Sequence, residues 1–535
     1  MKNTITIKKT AAAAMSLIMM IAGVSCGASD GAYFNYSKSE TNRGLMQSEY
    51  EAFDTAENGE LNTEEYDHYE ENGFLTVEKH PLSTFSTDVD TASFTNVRRM
   101  ITNGQEIPPD AVRTEEFVNY FKYDYPAPQQ DGDKLTITTE LSECPWNKEA
   151  KLVQIGLQAK DIETKDLDSN IVFLIDVSGS MYSADKLPLV QQAFSMLAEN
   201  LGENDRVSIV TYAGADEVVL EGESGANYAK IADALSALEA GGSTAGAAGI
   251  NTAYEIAEKY FIEGGNNRVI LATDGDLNVG VSSEEGLTKL IEQKREKGVF
   301  LSVLGFGMGN YKDNKLEALA DNGNGNYAYI DSLDEARRVL VTEMNGTLFT
   351  VAKDAKVQVE FNPTNVIGYK LVGYENRLLD DRDFEDDSKD AGDIGAGQQV
   401  TALYEIITAG KAEIPEGQKK TLKYQTNVAY PTADDFVGTL DGLDGELLTV
   451  SVRCKEPDGD KSDLIEKAVE VESYRSPEEI SDNMKLACAA AMFAKTLGNS
   501  EQKASPEEIR AYAEGLSLDT AELTAMLDAY ERSYT

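Results

Sequence analysis

The chain is 535 residues long, 41% hydrophobic and 26% charged, a globular composition with room for about three domains at roughly 150 residues each. Its 93 acidic against 48 basic residues leave a formal net charge of -45, which repels polyanions without any counterion release in return and argues against nucleic acid or anionic lipid as partners. His68 and His80 are the only histidines, so a histidine-rich metal centre is excluded and a Ser-His-Asp triad has two candidate bases.

The N-terminus has the build of a secretory signal over residues 1–25. Lys2, Lys8 and Lys9 precede an apolar run from Ala11 to Val24 that ends at Ser25-Cys26 and is too short to span a bilayer stably. Gly23 and Ser25 before Cys26 resemble a bacterial lipobox, in which the cysteine is diacylated and becomes the first residue of the mature protein; ordinary cleavage near Ala28 is the alternative. Loss of the three lysines takes the formal charge to -48 and places the protein outside the cytoplasm. Residues 26–79 are polar and acidic and read as a solvated tether. Within it, Glu64, Glu65, Asp67, His68, Glu70 and Glu71 read as a hydrated charge run rather than a metal site.

Residues 80–167 read as a folded N-terminal region. Asp88 and Asp90 stand where they would cap a helix running through Val97 and Met100. Alternation at Leu135, Ile137, Thr139 and Leu141, and again at Val153, Ile155, Leu157 and Ala159, predicts two half-buried strands flanking Cys144 and Trp146, the single tryptophan and a packing anchor. A lone hairpin is marginal in water, so these strands are expected to pair with later ones, which makes the intervening domain an insertion. Cys144, Cys454 and Cys488 are odd in number, so at least one is free; Cys488 reads as a buried thiol, while Cys144 and Cys454 follow strand-like stretches and could pair, though no bridge is the expectation.

Residues 168–348 change to apolar runs alternating with amphipathic helices, the pattern of an α/β, doubly wound, mostly parallel sheet. Its strands are Ile171 to Asp176, Val207 to Tyr212, Arg268 to Thr273 and Val299 to Gly307, with a closing helix from Leu333 to Leu348. The first strand runs into Asp176-Val177-Ser178-Gly179-Ser180, Thr244 sits in a glycine-rich loop, and Thr273 leads into Asp274-Gly275. Ligands of open α/β sheets bind at the carboxyl ends of strands, so these side chains converge on one rim. Their donors are hard oxygens alone, which suits Mg2+ (or Mn2+). A serine nucleophile would need a base that neither histidine is placed to supply. A metal-dependent phosphoester hydrolase using Asp176 would want a second acid and an anchoring lysine, for which Lys186 is the nearest. A structural envelope protein with a vestigial site is the remaining alternative.

Residues 349–475 return to alternation at Val357, Val359 and Phe361 and at Leu448, Val450 and Val452, an antiparallel β domain. Its acidic loop, Asp380 to Asp393, reads as solvated rather than as a Ca2+ site, because its spacing is not that of an EF-hand. Residues 476–535 read as C-terminal helices opened by two capping boxes, Ser476-Pro477-Glu478-Glu479 and Ser505-Pro506-Glu507-Glu508.

The motifs DVSGSM, GGST and ATDGD resemble the metal-ion-dependent adhesion site of von Willebrand factor type A domains. That resemblance implies Ser178, Ser180 and Thr244 as hydroxyl ligands, Asp176 and Asp274 coordinating directly or through water, and a protein partner's Asp or Glu carboxylate completing the shell. The whole chain further resembles bacterial lipoproteins that carry this domain between flanking regions, on the stretches STFSTDVDTASF, ECPW and DAGDIGAGQQVTALYEI. In that family a histidine often stands where Gln398 is found. The implied function is lipid-anchored adhesion or protein binding in the cell envelope, not catalysis, with the membrane reached through the N-terminal lipid only.

Overall fold

The computed structural model describes residues 63–534 apart from 88–89, 130–132, 163–166, 243–245, 276–283, 344–345, 347, 390, 410–444 and 458. The signal segment, Cys26, Asp88 and Thr244 therefore lie outside the described residues. In chain order the first elements are β1 (Leu75–Thr76), β2 (Leu82–Ser86), α1 (Ala92–Thr102), α2 (Thr114–Asn119), β3 (Leu135–Glu143) and β4 (Lys151–Ala159). Next come β5 (Ser169–Asp176), α3 (Leu187–Ala198), β6 (Arg206–Tyr212), β7 (Asp216–Ser224), α4 (Tyr228–Ser236), α5 (Gly246–Lys259), β8 (Asn266–Thr273), α6 (Glu284–Arg295), β9 (Phe300–Phe306), α7 (Asp313–Asn322), β10 (Tyr327–Ile330) and α8 (Leu333–Arg337). The chain then returns through β11 (Thr350–Phe361), β12 (Val366–Val372), β13 (Gly392–Gly395), β14 (Gln399–Thr408), β15 (Glu446–Lys455) and β16 (Ser462–Glu470). Helices Asp482–Leu497, Pro506–Ala513 and Ala521–Tyr534 follow.

Strands from both ends of the chain build one antiparallel sandwich. One sheet runs β1-β12-β14-β4-β3; in the other, β2 and β13 share one edge of β11 while β15 and β16 extend from its other edge. β4 pairs antiparallel with β14 from Lys151 opposite Ile406 to Gln158 opposite Gln399, so the hairpin does complete its sheet with later strands, and residues between β4 and β11 form an insertion. The expectation that β4 is half-buried is corrected, because all of it but Lys151 is buried. Val153, Ile155 and Leu157 face the sandwich core with Phe361, Tyr369 and Val450. Leu152, on the opposite face, joins Phe94, Phe117, Phe493 and Leu527 under a helical layer. Phe94 sits among three aromatic neighbours, stacked on Tyr120 at 3.8 Å and edge-on to Phe117 and Phe121, and full burial of such a side chain contributes about 1.5–3 kcal/mol. Trp146 anchors the turn by donating from Nε1 to Glu405 at 2.8 Å, and Cys144, Cys454 and Cys488 are buried free thiols.

The insertion is a six-stranded sheet, β10-β9-β8-β5-β6-β7, parallel throughout except for the antiparallel edge strand β7. Its central strands β5 and β8 are buried along their whole length because helices cover both faces. The chain leaves β5 toward β6 and returns on the other side as β8, so the carboxyl ends of these two strands flank the topological switch point where such folds bind ligands.

Several local expectations are corrected. From Thr63 on, the acidic segment is not a hydrated tether. It lies along the loop after β9, with Thr63 N donating to Gly309 O at 2.7 Å and Glu65 N to Tyr311 O at 3.0 Å. Glu64 pairs with buried Arg99 at 3.0 Å, and Glu71 with Lys370 and Lys495 at 2.7 and 2.5 Å. Asp90 does not cap α1; it is buried, accepting from Tyr327 N at 3.0 Å and pairing with Arg377 at 3.0 Å. The closing helix from Leu333 is α-helical to Arg337 and wider-wound from Arg338 to Thr342, and Gly346 and Leu348 are again helical. Ser476 opens a turn rather than a helix, because Ser481, held by Glu140, supplies the cap five residues later; the box at Ser505 is formed as read. The acidic loop is largely exposed, as read, with Glu385 and Asp387 paired to Arg453. Lys356 is held there too, by the carbonyls of Asp383 and Asp386.

Candidate metal centre at the carboxyl ends of the central strands

β5 delivers Asp176 as its last residue, and the turn that follows folds back on it. Ser178 N donates to Asp176 Oδ1 at 2.9 Å, the hydroxyls of Ser178 and Ser180 lie 3.0 Å apart, and Thr273 Oγ1 at the end of β8 donates to Asp176 Oδ2 at 3.2 Å. Asp274 follows directly. Asp176, Ser178 and Asp274 are each at most 1% exposed, while Ser180 is open to solvent. Four of the five candidate ligands, Asp176, Ser178, Ser180 and Asp274, thus lie at the adjoining carboxyl ends of β5 and β8. The loop toward the fifth, Thr244, is docked as far as Gly242, whose carbonyl accepts from Gly179 N at 3.1 Å, while Gly241 N donates to Val177 O at 2.8 Å.

Burial raises the Asp176 carboxyl to about 6, against the lowering effect of its Ser178 and Thr273 hydrogen bonds and with a further raise from Asp274. Two buried carboxylates that repel each other, with two hydroxyls beside them, form an oxygen donor set that fits a small hard divalent cation. Among the described residues no three His, Cys, Asp or Glu side chains converge on a metal-binding point, so this set depends on its hydroxyls.

One residue here was read from the sequence only as the lysine nearest the motif, not as part of the site. Lys186, just before α3, is buried and its ammonium donates to Asp274 Oδ2 at 2.9 Å and to Asn310 Oδ1 at 3.3 Å. Its side chain runs past Gly307, where a Cβ would come within 2.3 Å of Lys186 Cε. The signal was only its proximity to DVSGSM; a lysine at a helix start otherwise reads as surface. Gln398 closes a turn by accepting from Gly395 N at 2.7 Å.

Sheet order, switch point and rim residues together define a von Willebrand factor type A domain protein. The family model described as von Willebrand factor type A domain matches residues 170–342, that described as von Willebrand factor matches 60–154, and that described as Uncharacterized protein YfbK, C-terminal, matches 346–524. Uncharacterized protein YfbK of Escherichia coli (strain K12) is 41% identical over 462 residues, covering 84% of this chain and 77% of that one. The chain belongs to the YfbK family. Uncharacterized protein sll0103 of Synechocystis is 31% identical over 185 residues, 34% of this chain and 43% of its own. Among solved structures, a von Willebrand factor type A protein from Catenulispora acidiphila is 17% identical, covers 77% of this chain and 88% of its own, and has a TM-score of 0.39. Proximal thread matrix protein 1 from the mussel byssus, described with a zinc-occupied MIDAS motif, is 21% identical with a TM-score of 0.28, covering 32% of this chain and 44% of its own.

Proposed function

We propose that the chain is a lipid-anchored, extracytoplasmic protein-binding or adhesion protein of the cell envelope. In this reading Asp176, Ser178, Ser180, Thr244 and Asp274 hold Mg2+ or Mn2+, and a protein partner contributes an Asp or Glu carboxylate. The supporting observation is the meeting of buried Asp176 and Asp274 with the Ser178 and Ser180 hydroxyls at the switch point of the sheet. When bound, the cation supplies local positive charge that attracts an exogenous carboxylate against the field of a strongly acidic body. Asp176 is oriented by Ser178 N and Thr273, so its carboxylate keeps its direction as charge accumulates. Ser180 is exposed on the rim, open to an arriving partner in this reading.

The experiment is capture from envelope extract with the full chain in Mg2+, in chelator, and with Asp176→Ala. Capture lost in chelator and in the variant supports the reading; equal capture in all three overturns it in favour of a structural role. The Lys186 ammonium is the basic group that the phosphoester-hydrolase alternative asked for, but it is engaged by Asp274 and Asn310. Metal-dependent turnover of a phosphoester by the wild type, lost in Asp176→Ala, would favour that alternative.

A further inference from the structure

Lys186 is a fixed part of the rim. Its ammonium touches Asp274, its side chain is 9% exposed, and the partner carboxylate is fully buried. The path of the side chain is built: Gly307 has φ +74 and leaves room for Lys186 Cγ, Cδ and Cε, all of which a Cβ would meet at 2.3 to 2.8 Å. Asn310 holds the ammonium from the loop after β9. The backbone at Lys186 is fixed as well, since its carbonyl accepts from both Leu189 N and Val190 N at 2.9 Å in the first turn of α3.

The charges at the rim then sum differently from the carboxylates alone. Asp176 and Asp274 give two negative charges, which a divalent cation would neutralise, leaving nothing to draw in a further anion. With Lys186 included, these three described side chains together carry one net negative charge, and a divalent cation brings them to one net positive. One exogenous carboxylate restores neutrality. In a buried site such residual charge is poorly screened and weighs heavily on what binds next.

We propose that Lys186 is a resident counter-cation that keeps divalent-ion binding weak on its own and makes it depend on the partner's carboxylate. This rests on the metal reading of the rim and adds to it a rule of order: ion and carboxylate stabilise each other's binding by the same factor, as linkage requires. A surface carrying this site is silent toward the ion until a carboxylate arrives, and releases both together.

The test is calorimetric titration of Mg2+ into the full chain, with and without saturating acetate as the probe carboxylate, for wild type, Lys186→Met, Lys186→Gln and Lys186→Arg. In wild type, acetate should raise Mg2+ affinity. In the Met and Gln variants, Mg2+ affinity without acetate should rise about tenfold or more, and the acetate effect should shrink toward none. The Arg variant, which keeps the charge, should stay near wild type. Mg2+ affinity unchanged or lower in both neutral variants, with their circular dichroism intact, overturns the role of Lys186 while leaving the metal reading in place. Absence of Mg2+ binding in wild type, with and without acetate, overturns the metal reading and this inference with it. Recovery of wild-type behaviour in Lys186→Arg separates a charge effect from a change of packing.

Discussion

Gly307 and Lys186 occupy one another's space, so the glycine bears on the candidate metal rim through the lysine. Alanine at 307 would have to keep φ +74, which costs an L-residue about 1–2 kcal/mol, and its Cβ would displace the lysine chain. Gly307→Ala should therefore lower the melting temperature and, by moving the ammonium off Asp274, tighten Mg2+ binding in the same direction as Lys186→Met. Calorimetry and thermal melts on one preparation check both, and a destabilised variant with unchanged Mg2+ affinity would break the link. At this scale the sequence was legible where chemistry is local: Asp176, Ser178 and Ser180 fall within five residues on a strand-to-helix turn. It was not legible where contacts are remote, since Lys186 meets Asp274 across 88 positions and nothing in its own neighbourhood marks it as buried.

Elements meet through charge as much as through apolar packing. Arg113, beside α2, pairs with Asp313 and Glu317 of α7 at 3.3 and 2.8 Å. Arg377, in the loop after β12, reaches Asp90, Glu317 and Asp321, so the inserted sheet is tied to its host by a buried ionic lattice. Next to it burial, reinforced by Glu115, pushes the Glu375 carboxyl up to about 7. The folded state thus keeps this proton after the unfolded chain has lost it near the ordinary 4.5, and the stability it contributes is lost as pH rises from about 4.5 through about 7. Glu71 has the opposite sign. Despite burial, Lys495 and Lys370 lower it to about 2, so its contribution is present at neutral pH and fades as pH falls below about 4.5. The denaturation midpoint of wild type should be lower at pH 8 than at pH 5, and Glu375→Gln should narrow that gap. A gap of the same size in the variant would assign the dependence to other groups. Strand alternation read β3 and β4 correctly as strands, but it could not show that helices cover the second face of β4, because Leu152 and buried Gln154 occupy positions that look outward in a two-faced pattern. The Ser476 box failed for a related reason: the local signal is complete, and Glu140 from a distant strand selects Ser481 instead.

At the scale of the whole molecule the type A domain is held at both ends by the sandwich that its own insertion interrupts, an arrangement legible in the sequence because β-type alternation stops before residue 168 and resumes after 349. The anchor proposed for this body is read from Lys2, Lys8, Lys9, the apolar run and Cys26. Labelled fatty acid should enter the wild type and not Cys26→Ser, which should accumulate as precursor or be released; equal labelling of both would remove the anchor.

The strap that begins at Thr63 adds a mechanical consequence. Its backbone bonds go to Gly309 and Tyr311, on either side of Asn310, and Asn310 steadies the ammonium that touches Asp274. Tension arriving along the chain upstream of Thr63 would thus load this loop before it loads β1 or the sandwich. Strap, loop, lysine and aspartate stand in series, so under the proposed anchor and the proposed adhesion the point of pull and the point of grip would be separated by a few side chains rather than by a domain.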